Sequence, residues 1–203
     1  MAVAQTTHRL TEAEYLALER AAVGVKNEFH DGEMFAMSGG TRPHSRISTN
    51  LAAEFTKKLA GRRCQPFNSD LRVKIEATGL YTYPDLSVVC GEDEHVDEEY
   101  DTLTNPTLLI EVLSPSTENY DRGRKFEHYR QIPSLKEYLL VSQDEPRIEQ
   151  FVRQSGHWVL RDASGMKAKL VLPSLRISLS LAAVFRGLKF SPVVTRHDSP
   201  RRP

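Results

Sequence analysis

The chain has 203 residues, of which 39% are hydrophobic and 27% are charged, as in ordinary globular proteins. This composition excludes collagen-like, coiled-coil and wholly disordered chains. A chain of this length can bury a sizeable hydrophobic core without disulfides or metal ions to stabilise it. Lysine and arginine number 27, as do aspartate and glutamate, so there is no net charge that would draw the protein onto nucleic acid or a membrane. Any such partner must therefore bind a local patch of positive charge.

The cysteines and the N-terminus bear on location. Cys64 and Cys90 are too few for a disulfide framework and lack the spacing of a zinc motif. We find neither a signal peptide nor an apolar run of about 18 residues. We therefore predict a cytoplasmic protein that does not contact a membrane.

The N-terminal part predicts a helix followed by a hairpin. Thr11 and Glu14 have the spacing of a capping box, and an apolar set follows them up to Ala21. Asp31 and Gly32 form the kind of pair that supplies a tight turn, here between predicted strands over 25–30 and 33–37. These elements precede the central part of the chain.

The central part predicts helices and strands of a mixed sheet. Ile47, Leu51, Phe55 and Leu59 recur every four positions and indicate a helix. Strands are predicted over 71–76, over 80–90 with an interruption at Pro84, and over 107–113, followed by a helix over 119–132 and a strand over 138–141. The order α-β-β-β-α-β is typical of an α/β protein with a mixed four-stranded sheet flanked by helices.

The rest of the chain adds a loop and a β-rich extension. Residues 92–101 contain seven acidic side chains, which repel one another and predict a mobile loop. Beyond 141 we predict a hairpin around Ser155 and Gly156, further strands over 170–172 and 175–177, and a helix over 181–188. We expect one domain over 1–190 and a disordered tail over 191–203.

Two carboxylates are the first candidates for a functional site. Asp85 follows a proline at a strand, and Glu111 stands inside the apolar run TLLIEVL, where an unpaired charge costs several kcal/mol. On neighbouring strands the pair would provide the one or two carboxylates that Mg²⁺ takes from a protein. The alternatives are a turn residue for Asp85 and a structural ion pair with an arginine for Glu111.

Further candidates lie on the helix after Glu111 and upstream of Asp85. Lys125 can orient a metal-bound water or stabilise charge on a phosphate, although a solvated basic face is the more common reason for a lysine on such a helix. Arg122 shares its face. Weaker candidates, each with a structural alternative, are Glu28 as a cross-strand ion partner, His44 as a cap or surface histidine, and Asp70 as a strand-entry residue.

Several segments together carry a family resemblance. These are the E-x-x-D-G-E hairpin starting at Glu28, the helix start at Pro43 and His44, and the segments PDLSVV, LLIEVLSPST, RGRKFEHYR and KEYLLV. Over roughly residues 11–158 the chain resembles the Uma-type endonucleases of bacteria, in the PD-(D/E)XK restriction-endonuclease-like superfamily. The resemblance implies a restriction-endonuclease-like core, here with an added N-terminal helix and hairpin and the C-terminal β-rich extension.

The resemblance also implies roles for the candidate residues. Asp85 and Glu111 match the two metal-ligating acids, and Glu28 matches an upstream acid that completes the metal shell. The superfamily motif expects a lysine two positions after the second acid, where this chain has Leu113. In Uma-type proteins the lysine has moved to the following helix, and Lys125 matches it. His44 matches a family-type histidine near the site. Apart from the resemblance, we also expect Asp70 and Arg122 to line the site.

The sequence therefore predicts a Mg²⁺-dependent endonuclease, with Mn²⁺ as a substitute, that hydrolyses phosphodiester bonds, with double-stranded DNA as the expected partner. A homodimer would suit the cutting of both strands. One alternative is a catalytically silent nucleic-acid- or protein-binding module on the same fold, and another is activity on a different phosphate ester or a nucleotide.

Overall fold

A computed structural model describes residues 9–37 and 39–190 of the chain. The helices are α1 (Glu12–Ala21), α2 (Arg42–Leu59), α3 (Glu118–Tyr120), α4 (Phe126–Tyr129) and α5 (Leu181–Val184), and a π-helical turn over Asp121–Lys125 joins α3 to α4. The strands are β1 (Asn27–His30), β2 (Glu33–Ala36), β3 (Cys64–Asn68), β4 (Arg72–Ile75), β5 (Leu80–Thr82), β6 (Leu86–Cys90), β7 (Thr102–Leu103), β8 (Leu108–Val112), β9 (Glu137–Val141), β10 (Arg147–Gln154), β11 (His157–Ser164), β12 (Lys169–Leu172) and β13 (Ile177–Ser180). The predicted tail over 191–203 lies outside the described residues, and the domain boundary at 190 stays a prediction.

The central sheet has six strands in the order β11-β10-β9-β8-β6-β3. β8 lies inside it, antiparallel to β6 and parallel to β9, and all five of its residues are buried. This explains the apolar run of β8, because a strand covered on both faces has no side that faces water. The predicted α/β fold with a mixed sheet flanked by helices is confirmed, and the sheet has two strands more than predicted because the hairpin β10–β11 extends it.

One strand of the central sheet was not predicted. β3 is an edge strand of the central sheet, whereas β4, which forms from the predicted strand over 71–76, belongs to a second sheet. β3 contains Pro66 and shows no strict apolar alternation, so it lacks the usual signal of a strand. Proline is tolerated here because an edge strand pairs on one side only.

The two faces of the central sheet are covered by different parts of the chain. On one face Ile110 and Val112 of β8 pack in a cluster with Leu51 of α2 and Phe185 at the end of α5. On the other face Leu109 belongs to a cluster that includes residues of the second sheet and of the segment after α4. Glu111 shares this second face, since side chains alternate along a strand.

The second sheet has five strands in the order β2-β1-β5-β4-β7. The hairpin β1–β2 turns at Asp31 and Gly32, whose φ angles of 50° and 82° confirm the predicted tight turn. The predicted strand over 80–90 is in fact two strands, β5 and β6, which belong to different sheets. The division falls at Pro84 and Asp85, so the chain crosses from one sheet to the other immediately before β6.

The two cysteines form a disulfide between paired strands. Cys64 of β3 lies opposite Cys90 of β6, with the Cα atoms 4.0 Å apart. Nothing in the cysteine spacing predicted this bond, and the cytoplasmic location, which was inferred in part from the cysteines, stays a prediction. Among the described residues, none of the helices combines the length and apolar character needed to span a bilayer.

The acidic segment over 92–101 is tied to the body of the protein at its end. Arg20 of α1 binds both Asp97 and Asp101, and the nearly fully buried Arg72 of β4 donates to Asp101 Oδ2 at 2.6 Å. Asp101 therefore joins α1 to the second sheet. The prediction of a mobile loop is wrong at this end of the segment, because arginines from two other elements bind Asp97 and Asp101.

We predict that Asp101→Asn lowers the free energy of unfolding by about 1 kcal/mol at pH 7, a value discounted for the third of this side chain that water reaches. Hydrogen bonds from Arg20, with a smaller contribution from Arg72, hold the pKa of Asp101 below its ordinary value. The contribution is therefore complete above about pH 4 and is lost as the pH falls toward the lowered pKa.

Urea denaturation of both proteins at pH 7 and between pH 4 and 2 measures this difference. The exposed Asp144, for which the structure shows no ion pair within the described part of the chain, supplies the matched control Asp144→Asn. A difference between the parent and Asp101→Asn that is constant over the whole pH range would contradict the assignment.

Candidate active site

The pairing of β6 with β8 brings Asp85 and Glu111 together. The antiparallel register sets Leu86 opposite Ile110, and continuing it by one residue brings Asp85 alongside Glu111. Residues that are opposite each other in an antiparallel pair project from the same face of the sheet. Asp85 Oδ2 also accepts a hydrogen bond of 2.7 Å from the backbone N–H of Val112, which holds this carboxylate against β8. The two carboxylates that the sequence singled out therefore share one site.

The ammonium group of Lys125 lies among carboxylates. Its Nζ is 3.0 Å from Glu111 Oε1 and 3.1 Å from Glu28 Oε1, and only 6% of the side chain is exposed. A third carboxylate, that of Asp121, lies 3.7 Å from Nζ. Burial alone would lower the pKa of Lys125, but these three carboxylates raise it well above its ordinary value. Lys125 is therefore a protonated, buried cation rather than part of a solvated basic face.

A π-helical turn carries Lys125. The helix predicted over 119–132 is observed from Glu118 to Tyr129, but its central part, Asp121–Lys125, has the wider π-helical geometry. Such turns are rare and frequently occur at functional sites. Asp121 and Lys125 stand at the two ends of this turn, and both side chains point into the buried cluster.

Glu28 reaches the cluster from the second sheet. β1 pairs with β5 through Phe29 and Tyr81, so Glu28 lies beside Thr82, whose hydroxyl donates a hydrogen bond to Glu28 Oε1. Glu111 belongs to the central sheet. Lys125 thus binds one carboxylate from each sheet, and the site forms only where the two sheets meet.

Tyr129 of α4 holds Glu111 in place. Its hydroxyl donates a hydrogen bond of 2.6 Å to Glu111 Oε1, the same oxygen that Lys125 approaches. Burial raises the pKa of Glu111, and the charges of Asp121 and Asp85 add to this effect, whereas Lys125 and Tyr129 oppose it. The pKa of Glu111 is therefore raised chiefly by burial, and the surrounding charges modify this effect.

His44 lies in the first turn of α2, where Thr41 caps the helix. Its Nε2 is 3.1 Å from Asp85 Oδ1, and this hydrogen bond raises the pKa of His44 although burial acts against it. Each oxygen of Asp85 therefore has a partner, the imidazole on one side and the backbone N–H of Val112 on the other.

The structure does not bring the other two candidates into contact with this cluster. Asp70 binds Lys26 and Asn68. Arg122 pairs with Glu118 and Glu149, and the contacts described for it include neither Asp85 nor Lys125.

Three side chains of the cluster were missed by the sequence analysis. Asp121 precedes Lys125 by four positions on one helix, a spacing at which side chains meet, so this residue could have been found. Thr82 and Tyr129 carried no such signal, because their contacts depend on how the second sheet and α4 pack against β8.

The donor set of the site fits a divalent cation. Glu28, Glu111 and Asp121 lie around one ammonium and Asp85 stands near Glu111, so the site holds four acidic side chains and one lysine. Within residues 9–37 and 39–190, no three His, Cys, Asp or Glu side chains form a complete metal-ligand set. Asp85 and Glu111 provide a partial set, which suits Mg²⁺ because this ion retains several waters.

Comparisons with known proteins agree with this architecture. The model of the Uma2 family, described as "Putative restriction endonuclease", matches residues 12–184. Two proteins of Synechocystis sp. (strain ATCC 27184 / PCC 6803 / Kazusa) are similar. Uncharacterized protein slr1290 is 39% identical over 183 residues, which are 90% of this chain and 94% of that protein. Uncharacterized protein sll1609 is 36% identical over 178 residues, which are 87% of this chain and 100% of that protein.

A solved structure shows a similar fold. The crystal structure of a putative nuclease belonging to DUF820 from Anabaena variabilis ATCC 29413 superimposes with a TM-score of 0.71 and covers 87% of this chain and 97% of its own. The two sequences are 20% identical over this match, so the likeness concerns the fold.

We predict that Tyr129→Phe lowers the free energy of unfolding by about 1–3 kcal/mol at neutral pH, because the buried Glu111 carboxyl loses its hydroxyl donor. The loss of this donor also raises the pKa of Glu111 further. Urea denaturation measures the difference, with Tyr100→Phe as the control, since Tyr100 is 68% exposed. Equal stability of the two variants would show that the hydroxyl contributes nothing to holding Glu111.

Proposed function

Because the chain belongs to the Uma2 family, described as "Putative restriction endonuclease", we propose that it is a metal-dependent endonuclease that hydrolyses phosphodiester bonds in DNA. Mg²⁺ is the proposed cation, with Mn²⁺ as a substitute. The observation that carries the proposal is the buried Lys125 ammonium, which lies 3.0 Å from Glu111 in the same site as Asp85. Carboxylates and a lysine in one polar cluster are the groups that phosphodiester hydrolysis with a hard cation requires.

In the proposed site, Asp85 and Glu111 would hold the cation, and Glu28 is the further acid that would bind it from the second sheet. When bound, a divalent cation polarises the scissile phosphate and lowers the pKa of a water molecule. The protein contributes preorganisation, since the Val112 N–H fixes Asp85 and the Tyr129 hydroxyl fixes Glu111 before the substrate arrives. His44 supports Asp85 from the side of α2.

Lys125 is proposed to orient the attacking water and to stabilise the negative charge that develops on the phosphate. The position at which the short E-x-K motif carries lysine is Leu113, which is 5% exposed and packs in the core with Leu109. Leu113 cannot serve this role. Lys125 reaches Glu111 from the helical segment instead, which supports the displaced lysine that the family resemblance implies.

Double-stranded DNA is the proposed substrate, and a homodimer is the proposed assembly, since a twofold axis would direct two such sites at opposite strands. Arg124 and Arg130 are exposed on the helical segment that carries Lys125 and on the residues that follow it, and we propose that they contact phosphates. Arg122 and Arg62, also candidates for such contacts, are already bound to Glu149 and to the Leu175 carbonyl.

We predict that the purified protein nicks supercoiled plasmid with Mg²⁺ or Mn²⁺ but not with EDTA. Glu111→Gln and Lys125→Ala should each lower the rate by at least about a hundredfold, because one removes a ligand charge and the other the proposed water-orienting group. The exposed Lys167 provides the matched control, and Lys167→Gln should cut at the parental rate.

Circular dichroism and denaturation curves must first show that each variant is folded. A folded Glu111→Gln variant that nicks as fast as the parent would contradict the site. A folded parent that cuts no plasmid under any of these conditions would instead favour the silent binding module or another phosphate ester.

We predict that duplex binding weakens with salt, measured by fluorescence anisotropy with Ca²⁺ in place of Mg²⁺. Each phosphate contact contributes about −0.9 to the slope of log K against log salt concentration. Arg124→Gln and Arg130→Gln should each make the slope less steep by about that amount, whereas the exposed Arg161→Gln should leave it unchanged. Binding without salt dependence would remove DNA phosphates as the partner of this surface.

A further inference from the structure

Lys125 binds two of the carboxylates that the proposed cation would use. Its Nζ lies 3.0 Å from Oε1 of Glu111 and 3.1 Å from Oε1 of Glu28, so the positive charge of one ammonium is shared between these two carboxylates. We infer that Lys125 is a built-in counter-cation that moves to Asp121 when a divalent cation binds, and that Asp121 is the positioning residue that receives it. The inference rests on the proposed function, because it takes Glu111 and Glu28 as cation ligands.

Competition for shared oxygens is the first step of the argument. A divalent ion bound to Glu111 would lie within a few ångströms of an ammonium that uses the same carboxylate. Two cations repel strongly at this distance in a site from which water is largely excluded. Lys125 therefore opposes cation binding as long as it stays where the structure shows it.

The second step concerns where Lys125 can move. Among residues 9–37 and 39–190, the carboxylates within 4.0 Å of Nζ are those of Glu28, Glu111 and Asp121. The 3.7 Å between Nζ and Asp121 Oδ1 is longer than a hydrogen bond, so Asp121 is a neighbour that Lys125 does not yet bind. Both residues belong to one π-helical turn, four positions apart, so Nζ has only a short distance to travel to bind Asp121.

The third step is the charge of Asp121. Its side chain is 5% exposed, and burial raises its pKa, which shows that the carboxylate is costly to keep charged in this position. Lys125 is the cation that offsets this cost. Asp121 thus provides a buried carboxylate 3.7 Å from Nζ, on the same turn as Lys125.

A double-mutant cycle on cation affinity tests the inference. Isothermal titration calorimetry with Ca²⁺ and with Mg²⁺, without DNA, is carried out on the full chain, on Lys125→Gln, on Asp121→Asn and on the double variant. Glutamine keeps hydrogen-bond donors for Glu28 and Glu111 but removes the competing charge. The controls Lys167→Gln and Asp144→Asn make the same charge changes at exposed positions.

We expect Lys125→Gln to bind the cation about tenfold more tightly than the parent and Asp121→Asn about tenfold more weakly, because the displaced lysine then lacks a counter-charge. In the Lys125→Gln background, Asp121→Asn should change the affinity less than about threefold. Equal losses in both backgrounds would show that Asp121 acts on the cation directly. An affinity of Lys125→Gln at or below that of the parent would overturn the inference.

A structure of the parent protein gives a second readout, should either variant fail to fold. With Ca²⁺ bound, Nζ should lie within hydrogen-bond distance of Asp121 and away from Glu111, whereas an Nζ that stays on Glu111 would overturn the inference. A parent that binds no divalent cation contradicts the proposed function itself. A parent that binds one without moving Lys125 contradicts this inference alone.

Discussion

The charge of Lys125 is the constraint on which the site depends. A buried ammonium is stable only if carboxylates surround it, and here they come from β1, β8 and the π-helical turn. The two sheets and the helical segment must therefore be in place together before the charge is compensated. The same contacts hold Glu111, an acidic residue in the middle of an otherwise apolar strand, at the inner end of the site.

The position of β8 explains why these groups meet. This strand lies between the antiparallel β6 and the parallel β9. Glu111 therefore lies next to the segment that precedes β6. The helical segment after β8 packs on the face of the sheet from which Glu111 projects. Asp85 sits where the chain leaves the second sheet and enters the central one. The crossing between sheets is thus also the place where the two carboxylates come together.

Sequence reasoning predicted most of the fold, and the reasons for its failures are local. Glu111 was singled out because an acid in an apolar run demands a partner, and Asp85 because it follows a proline at a strand. Lys125 was singled out because it lies on the helix after Glu111, and the family resemblance then matched it to the displaced lysine. β3 was missed because its sequence, CQPFN, contains a proline and does not alternate between apolar and polar residues. The run over 80–90 was predicted as one strand because nothing in its sequence shows that its two halves belong to different sheets. Thr82 and Tyr129 entered the site only through packing between elements that are distant in the sequence.

The disulfide between Cys64 and Cys90 closes a covalent loop that contains β4 and β5. β4 and β5 of the second sheet therefore lie between two covalently linked residues. These residues stay together even when the hydrogen bonds of the edge strand β3 open. By chain entropy, a closed loop of about this length stabilises the folded protein by roughly 3 kcal/mol. Reduction would remove this covalent link between β3 and β6, whereas Asp85 and Glu111 are brought together by the separate pairing of β6 with β8.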